Sequence, residues 1–140
     1  MKKLRNFTKA FLLAVGLGLA LIACSEIDKA GIFSTLDARD AAVSRQDIAA
    51  YSRQIWSSYN SNGRNKVEVV AQMINLFSRF QTTEMHSFDR NVRLLGDGRA
   101  ECIQSYRLKV RADNQWREIT EREYLQLVKT NDGWKISAGL

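Results

Sequence analysis

Proline is absent from the 140 residues, histidine occurs once, at His86, and cysteine twice, at Cys24 and Cys102. With no proline to break an element, boundaries must be sought at glycine, asparagine and aspartate. One histidine and two cysteines exclude a zinc site of the usual kind, and no metal or other cofactor is expected. No glycine-rich phosphate loop and no nucleophile elbow occur. Long apolar runs are missing too. The longest, Phe11 to Ala23, spans about 20 Å as a helix against roughly 30 Å of bilayer hydrocarbon. The formal charge is +6, yet four of the 21 basic residues (Lys2, Lys3, Arg5 and Lys9) precede that run. From residue 24 onward the remaining 17 face 15 acidic residues, a net charge of +2 with no basic block. Nucleic acid is therefore not an expected partner.

What is present at the start is a basic head followed by a short apolar run, the pattern of a secretory signal. The run ends in Leu21-Ile22-Ala23-Cys24, which resembles the lipobox of bacterial lipoproteins. That resemblance implies a diacylglyceryl group on the Cys24 sulfur, cleavage before Cys24 and acylation of the new amino group. At about 0.8 kcal/mol per buried methylene, several chains anchor a protein to a membrane. The chain then divides into a signal peptide (1–23), a lipidated cysteine with its tether (24–35) and a domain (36–140). Ser25 stands where an aspartate tends to retain Gram-negative lipoproteins at the inner membrane. The expected location is the cell envelope, at the outer membrane facing the periplasm if the organism is Gram-negative. Alternatives are an ordinary signal with a chance cysteine, an uncleaved anchor, or a Cys24–Cys102 disulfide. If Cys24 carries lipid, Cys102 has no intrachain partner and reads as a small buried hydrophobe.

Helices come first in the domain. Ser34 to Asp37 has capping-box spacing, and a helical stretch is expected from there to about Tyr59, with a break near Ser44–Asp47. Ile48, Tyr51, Ile55 and Tyr59 share one stripe. Asn65 to Glu68 repeats the capping box and opens a helix over 66–80. Its expected main buried face is Val67, Val70, Ala71, Ile74 and Phe77, widened by Val69, Met73 and Phe80. Three turn signals follow, at Gly96-Asp97-Gly98, Asp113-Asn114-Gln115 and Asn131-Asp132-Gly133. They delimit strands over about 83–95, 99–112, 116–130 and 134–138, an antiparallel meander. Three-residue loops would pair Leu94 with Ala100, Val92 with Cys102, Arg90 with Gln104, Phe88 with Tyr106 and His86 with Leu108. The same loop in the middle hairpin sets Tyr124 opposite Gln104, Arg122 opposite Tyr106 and Thr120 opposite Leu108. A one-residue slip there would instead turn Ile119, Glu121, Glu123 and Leu125 inward. The last hairpin pairs Val128 with Ile136 and Thr130 with Trp134.

Helices followed by a long curved antiparallel sheet define an α+β fold. The helix entry "YNSNGRNKVEVV", the strand pair "GDGRAECIQSYRLKV" and the closing "REYLQLVKTNDGWKIS" resemble the nuclear transport factor 2-like (SnoaL-like) superfamily over about 36–138. The resemblance implies a cone, with N-terminal helices packed on the concave side of the sheet and a pocket at the wide mouth. The short first strand usual between the helices is not apparent.

The expected inner face carries His86, Phe88, Arg90, Gln104, Tyr106, Arg122 and Tyr124 as ligand-pocket candidates, over a closed core of Leu94, Ala100, Val128 and Ile136. Two arginines there favour a small anionic ligand, or else pair with acids such as Asp40 and Asp47. The expected outer face collects Ile103, Leu125 and Leu127 within a charged rim, a candidate homodimer or partner interface. The superfamily includes isomerases and dehydratases, whose chemistry needs a carboxylate in the pocket. None is expected on the inner sheet face, so no catalytic residue is assigned. The resulting expectation is a membrane-anchored lipoprotein with a non-enzymatic small-molecule or protein binding or accessory domain. The alternatives are a small isomerase or dehydratase-type enzyme and a purely structural envelope lipoprotein.

Overall fold

A computed structural model describes the backbone of residues 4–140 and the side chains from Ala23 onward. Lys2 and Lys3 lie outside the described residues, as do the side chains of almost all of the Phe11–Ala23 run. Two compact units divide between Ala30 and Gly31. In the first, Cys24 is exposed, and Lys29 Nζ pairs with Glu26 Oε1 at 3.3 Å, one helical turn away.

Helix α1 (Leu4–Ser44) runs through Ser34–Asp37 without interruption, so the expected capping box there starts no helix. Ile32, Leu36 and Val43 form a continuous buried stripe, and packing along it overrides the local capping signal. The expected break near Ser44–Asp47 is present. Helix α2 (Ile48–Arg53) begins at Asp47, whose carboxylate accepts from Ala50 N at 2.8 Å. It does not continue to Tyr59. Instead the chain turns extended to serve a sheet edge. Trp56 N donates to Ile136 O at 2.9 Å and Ile136 N donates to Gln54 O at 2.8 Å. Tyr51, Ile55 and Tyr59 are nevertheless all buried.

A two-residue hairpin, β1 (Asn60–Ser61) and β2 (Arg64–Asn65), turns through Asn62 and Gly63, both at positive φ. Helix α3 (Lys66–Arg79) then opens on the expected capping box. Glu68 N donates to Asn65 Oδ1 at 3.1 Å and Asn65 N donates to Glu68 Oε2 at 2.7 Å. Its buried face is rotated from the expected one. Val69 is buried and Val70, Met73 and Phe77 pack on the core, while Val67 and Ile74 are 76% and 51% exposed. The sequence offers apolar residues on both sides of this helix, so pattern alone did not choose.

The sheet is the expected meander, in the order β3 (Thr82–Gly96), β4 (Arg99–Ala112), β5 (Gln115–Thr130), β6 (Gly133–Ala138). Its register departs from expectation at three places. In β3, Asp89 adopts a φ of 52° and the pairing slips between Phe88 and Asn91. This β-bulge inserts one residue and reverses which face each earlier residue uses. Leu94 and Val92 pair as expected with Ala100 and Cys102, but Tyr106 meets Ser87 and Leu108 meets Met85. In the middle hairpin the loop is Asp113-Asn114, both at positive φ, so Ala112 pairs with Gln115. A two-residue turn of this hand matches strand twist. It produces the alternative slip: Leu125, Glu123, Glu121 and Ile119 pair with Cys102, Gln104, Tyr106 and Leu108. The last hairpin also has a two-residue loop, pairing Leu127 with Ile136 and Lys129 with Trp134. Val128 is only half-buried, and Leu127 takes its expected place in the core. That core is Ile32, Leu36, Val43, Ile55, Leu125, Leu127, Trp134 and Ile136 around Ala100 and Cys102.

Candidate functional site

Three kinds of element meet on the concave side of the sheet. Strand β4 supplies Gln104, Tyr106 and Leu108, strand β5 supplies Glu121 and Glu123, and β3 supplies Ser87 and Met85, all set inward by the register just described. The helices close over them with Arg39 and Val43 from α1, Tyr51 from α2, and Val69, Met73 and Leu76 from α3. Between these layers lies a cavity of about 540 Å³. Most of its wall is apolar, with a few converging polar groups, as ligand pockets generally are.

The polar floor is one connected network. The Arg39 side chain is 1% exposed and donates from Nη2 to Glu123 Oε1 at 2.6 Å. Asp40 Oδ1 lies 3.5 Å from the same nitrogen. Gln104 Nε2 donates to Glu123 Oε1 at 2.6 Å and its Oε1 accepts from Arg90 Nε at 2.9 Å. Arg90 also pairs with Asp37 at 2.5 Å and Asp40 at 3.5 Å. Ser87 closes the loop, its N and Oγ donating to the two Asp40 oxygens at 2.7 and 3.0 Å. Burial disfavours the charged guanidinium of Arg39, but Glu123 and Asp40 outweigh it and raise its pKa above the ordinary value. One donor is left over: Arg39 Nε is buried with no hydrogen-bond partner.

Two phenols also line the cavity. Tyr51 is 3% exposed. Burial pushes its hydroxyl up to about 12, with the Arg39 charge opposing. Tyr106 OH donates to Glu121 Oε2 at 2.9 Å, and burial followed by that bond raises it to about 12 as well. Both phenols therefore stay protonated donors through the ordinary pH range.

Of the expected pocket residues, the structure brings Arg90, Gln104 and Tyr106 to the concave side. His86 and Phe88 turn to the other face, whereas Arg122 and Tyr124 border the cavity but are exposed rather than set into it. The Asp89 bulge moves the first two, and the two-residue Asp113-Asn114 turn moves the others. His86 is exposed and stacks on Phe88 with centroids 6.2 Å apart, while Arg107 lies over the Phe88 ring. Arg122 is exposed, and Tyr124, 43% exposed, donates to Glu101. The same shift corrects the expected outer apolar cluster. Leu125 and Leu127 are 0% and 1% exposed and face the helices, leaving Ile103 on the outer surface at 38%. Cys102 is fully buried, and burial raises its thiol to about 11, which keeps it protonated and unreactive.

The inner face holds carboxylates after all, at Glu121 and Glu123, with Asp40 behind them. Arg39, the cavity's central cation, escaped the sequence reading. Its signal was there: it stands between Leu36 and Val43, three and four residues away, on the same buried stripe of α1. Among the described residues, no group of three His, Cys, Asp or Glu side chains is placed to hold a metal ion.

Comparison with protein-family descriptions found no match for this chain. Comparison with curated proteins found none either. Solved structures do match. The Kfla4162 protein of Kribbella flavida aligns at a TM-score of 0.72 with 15% identity, over 82% of this chain and 89% of that one. A nuclear transport factor 2-like superfamily protein from Salmonella enterica aligns at 0.70 with 15% identity, over 82% and 89%. A hexachlorocyclohexane dehydrochlorinase aligns at 0.71 with 12% identity, over 82% and 84%. The fold is thus the nuclear transport factor 2-like cone: helices packed against a curved, four-stranded antiparallel sheet.

Proposed function

We propose that this chain is a bacterial lipoprotein that binds a small molecule, without chemical turnover, in the cone of its nuclear transport factor 2-like domain. The observation that carries the binding reading is the cavity of about 540 Å³ whose deepest carboxylate, Glu123, is already engaged by Arg39 and Gln104. A general base must be within reach of a substrate proton, and Glu123 is committed to its neighbours instead. A domain serving only as structure would fill such a space with its own side chains.

The anchor rests on the sequence: a basic head, a short apolar run and Leu21-Ile22-Ala23-Cys24. In keeping with it, Cys24 is exposed. Lipid on Cys24 would hold the domain at the cell envelope, at the outer membrane facing the periplasm in a Gram-negative organism. The test is metabolic labelling with a fatty-acid analogue. Cys24→Ser is expected to abolish labelling and leave unprocessed precursor; unchanged labelling of that variant defeats the anchor. For the cavity, mass spectrometry of small molecules that co-purify with the full chain is the direct measurement.

One observation favours a second reading. Tyr106 and Glu121 form a hydrogen-bonded pair on the cavity wall, and one structural neighbour is a dehydrochlorinase. In a pocket enzyme of the isomerase or dehydratase kind, Glu121 would take a proton and Tyr106 steady the resulting charge. Turnover that disappears in Glu121→Gln would establish this reading over the first.

A further inference from the structure

The cavity does not end at its mouth. A second depression, of about 260 Å³, lies along the inner face of the sheet beyond α3, lined by Leu76, Phe80, Leu108, Val110, Arg117 and Ile119. Leu76 and Leu108 belong to both walls, so the two spaces adjoin across that pair. The accessible surface of this groove is wholly apolar, and Ile119 is 48% exposed within it. From Gln104 at the polar floor to Val110 in the groove, β4 advances six residues, roughly 20 Å at the rise of a strand, the reach of an extended chain of roughly sixteen carbons.

We infer that cavity and groove form one site for a single-chain amphiphile with a neutral, oxygen-bearing head. The head would be an acyl ester or amide, its carbonyl held by Arg39 and Tyr51 and its alkyl chain running out between Leu76 and Leu108. The inference rests on the binding reading above and names its ligand class.

Two donors specify the head. Arg39 Nε is buried and without a partner, and Tyr51 lines the same cavity as Arg39. A buried donor left unsatisfied is costly, and a carbonyl oxygen accepts from both. Charge specifies that the head is neutral. Arg39 is already balanced by Glu123 and Asp40, and Arg90 by Asp37 and Asp40. A carboxylate head would add an anion to a floor whose two cations are already balanced, beside Glu121 on the same wall, while Arg122 borders the cavity as an exposed residue. Of the two arginines that favoured a small anionic ligand or else paired with acids, Arg90 pairs with Asp37 and Asp40.

The test uses the full chain in phosphatidylcholine nanodiscs, with empty nanodiscs as background. Its probes are 1-palmitoylglycerol, 1-octanoylglycerol and palmitate, each labelled with ¹³C at the carbonyl and followed by NMR. The sixteen-carbon ester is expected to bind most tightly, with a shifted carbonyl resonance. Tyr51→Phe, which removes only the hydroxyl, should weaken both esters about fivefold. Ile119→Lys, at an exposed position that folding tolerates, should weaken the sixteen-carbon ester tenfold or more and the eight-carbon ester less than twofold. Preference for palmitate overturns the neutral head. An equal effect of Ile119→Lys on both esters overturns the groove. Saturable binding of a small apolar probe such as indole without ester binding overturns this inference alone. Failure of every probe overturns the cavity-binding reading with it.

Discussion

Removing Glu123 should expose how the cavity floor is held. In Glu123→Leu, the Arg39 guanidinium stays buried at 1% exposure and loses its 2.6 Å partner. Gln104 Nε2 loses its 2.6 Å acceptor as well, keeping only Ser87 Oγ at 3.3 Å. Stranding one member of a buried pair costs about 3–5 kcal/mol. Asp40 remains 3.5 Å from Arg39, which places the expected loss near the lower end, about 3 kcal/mol. For a domain of this size that corresponds to a fall in Tm of roughly 10–15 °C. The double variant Arg39→Met/Glu123→Leu removes both charges and fills the space with apolar volume. It should recover most of the loss, since well-packed apolar replacements of buried pairs are often neutral. Urea unfolding followed by near-ultraviolet circular dichroism on both single variants and the double closes the cycle. A coupling energy of about 2 kcal/mol or more is expected. A loss below about 1 kcal/mol for Glu123→Leu, or coupling near zero, would refute the claim that this pair organises the floor.

Other consequences are simpler to read. Gly139 has a φ of 102°, and a Cβ there would collide with the Tyr124 carbonyl oxygen. Gly139→Ala should therefore destabilise by about 2 kcal/mol or more in the same unfolding assay. Asn65→Ala removes one half of the α3 capping box and should cost about 1 kcal/mol. A spectrophotometric titration of the folded protein should show Tyr51 and Tyr106 ionising near pH 12. Because the folded pKa values lie above the ordinary phenol value of about 10, the native state holds its protons longer than the unfolded chain. The stability they contribute is intact below about pH 10 and is lost as pH climbs towards 12. Ionisation of every tyrosine near pH 10 would contradict the burial of Tyr51 and the Tyr106–Glu121 bond.

Most of the architecture could be read from residues alone because turn chemistry is local. Glycine, aspartate and asparagine mark all three hairpins, and strand limits fall within about one residue of expectation. What failed was parity. A strand changes face every residue, so an undetected bulge or a miscounted loop exchanges a whole pocket wall. Asp113-Asn114 carried a usable signal, since both residue types tolerate the left-handed region that a two-residue hairpin needs. Asp89 has the same tolerance but stands within a strand run and not at a turn, so only the packed sheet shows that it is the extra residue. Arg39 was hidden for a different reason. Pattern reading assigns charged residues to the surface, and only the register of β5 reveals the carboxylate waiting opposite.

The kink at Asp89 also suggests how pockets of this shape can diversify. Upstream of it, every residue of β3 owes its orientation to one additional peptide unit. Excise that unit, and serine and methionine would leave the hollow while an imidazole and a phenyl ring swung in. A ligand compartment built this way can exchange its chemistry through a single codon lost or gained, with no side chain replaced and the barrel-like wall left standing.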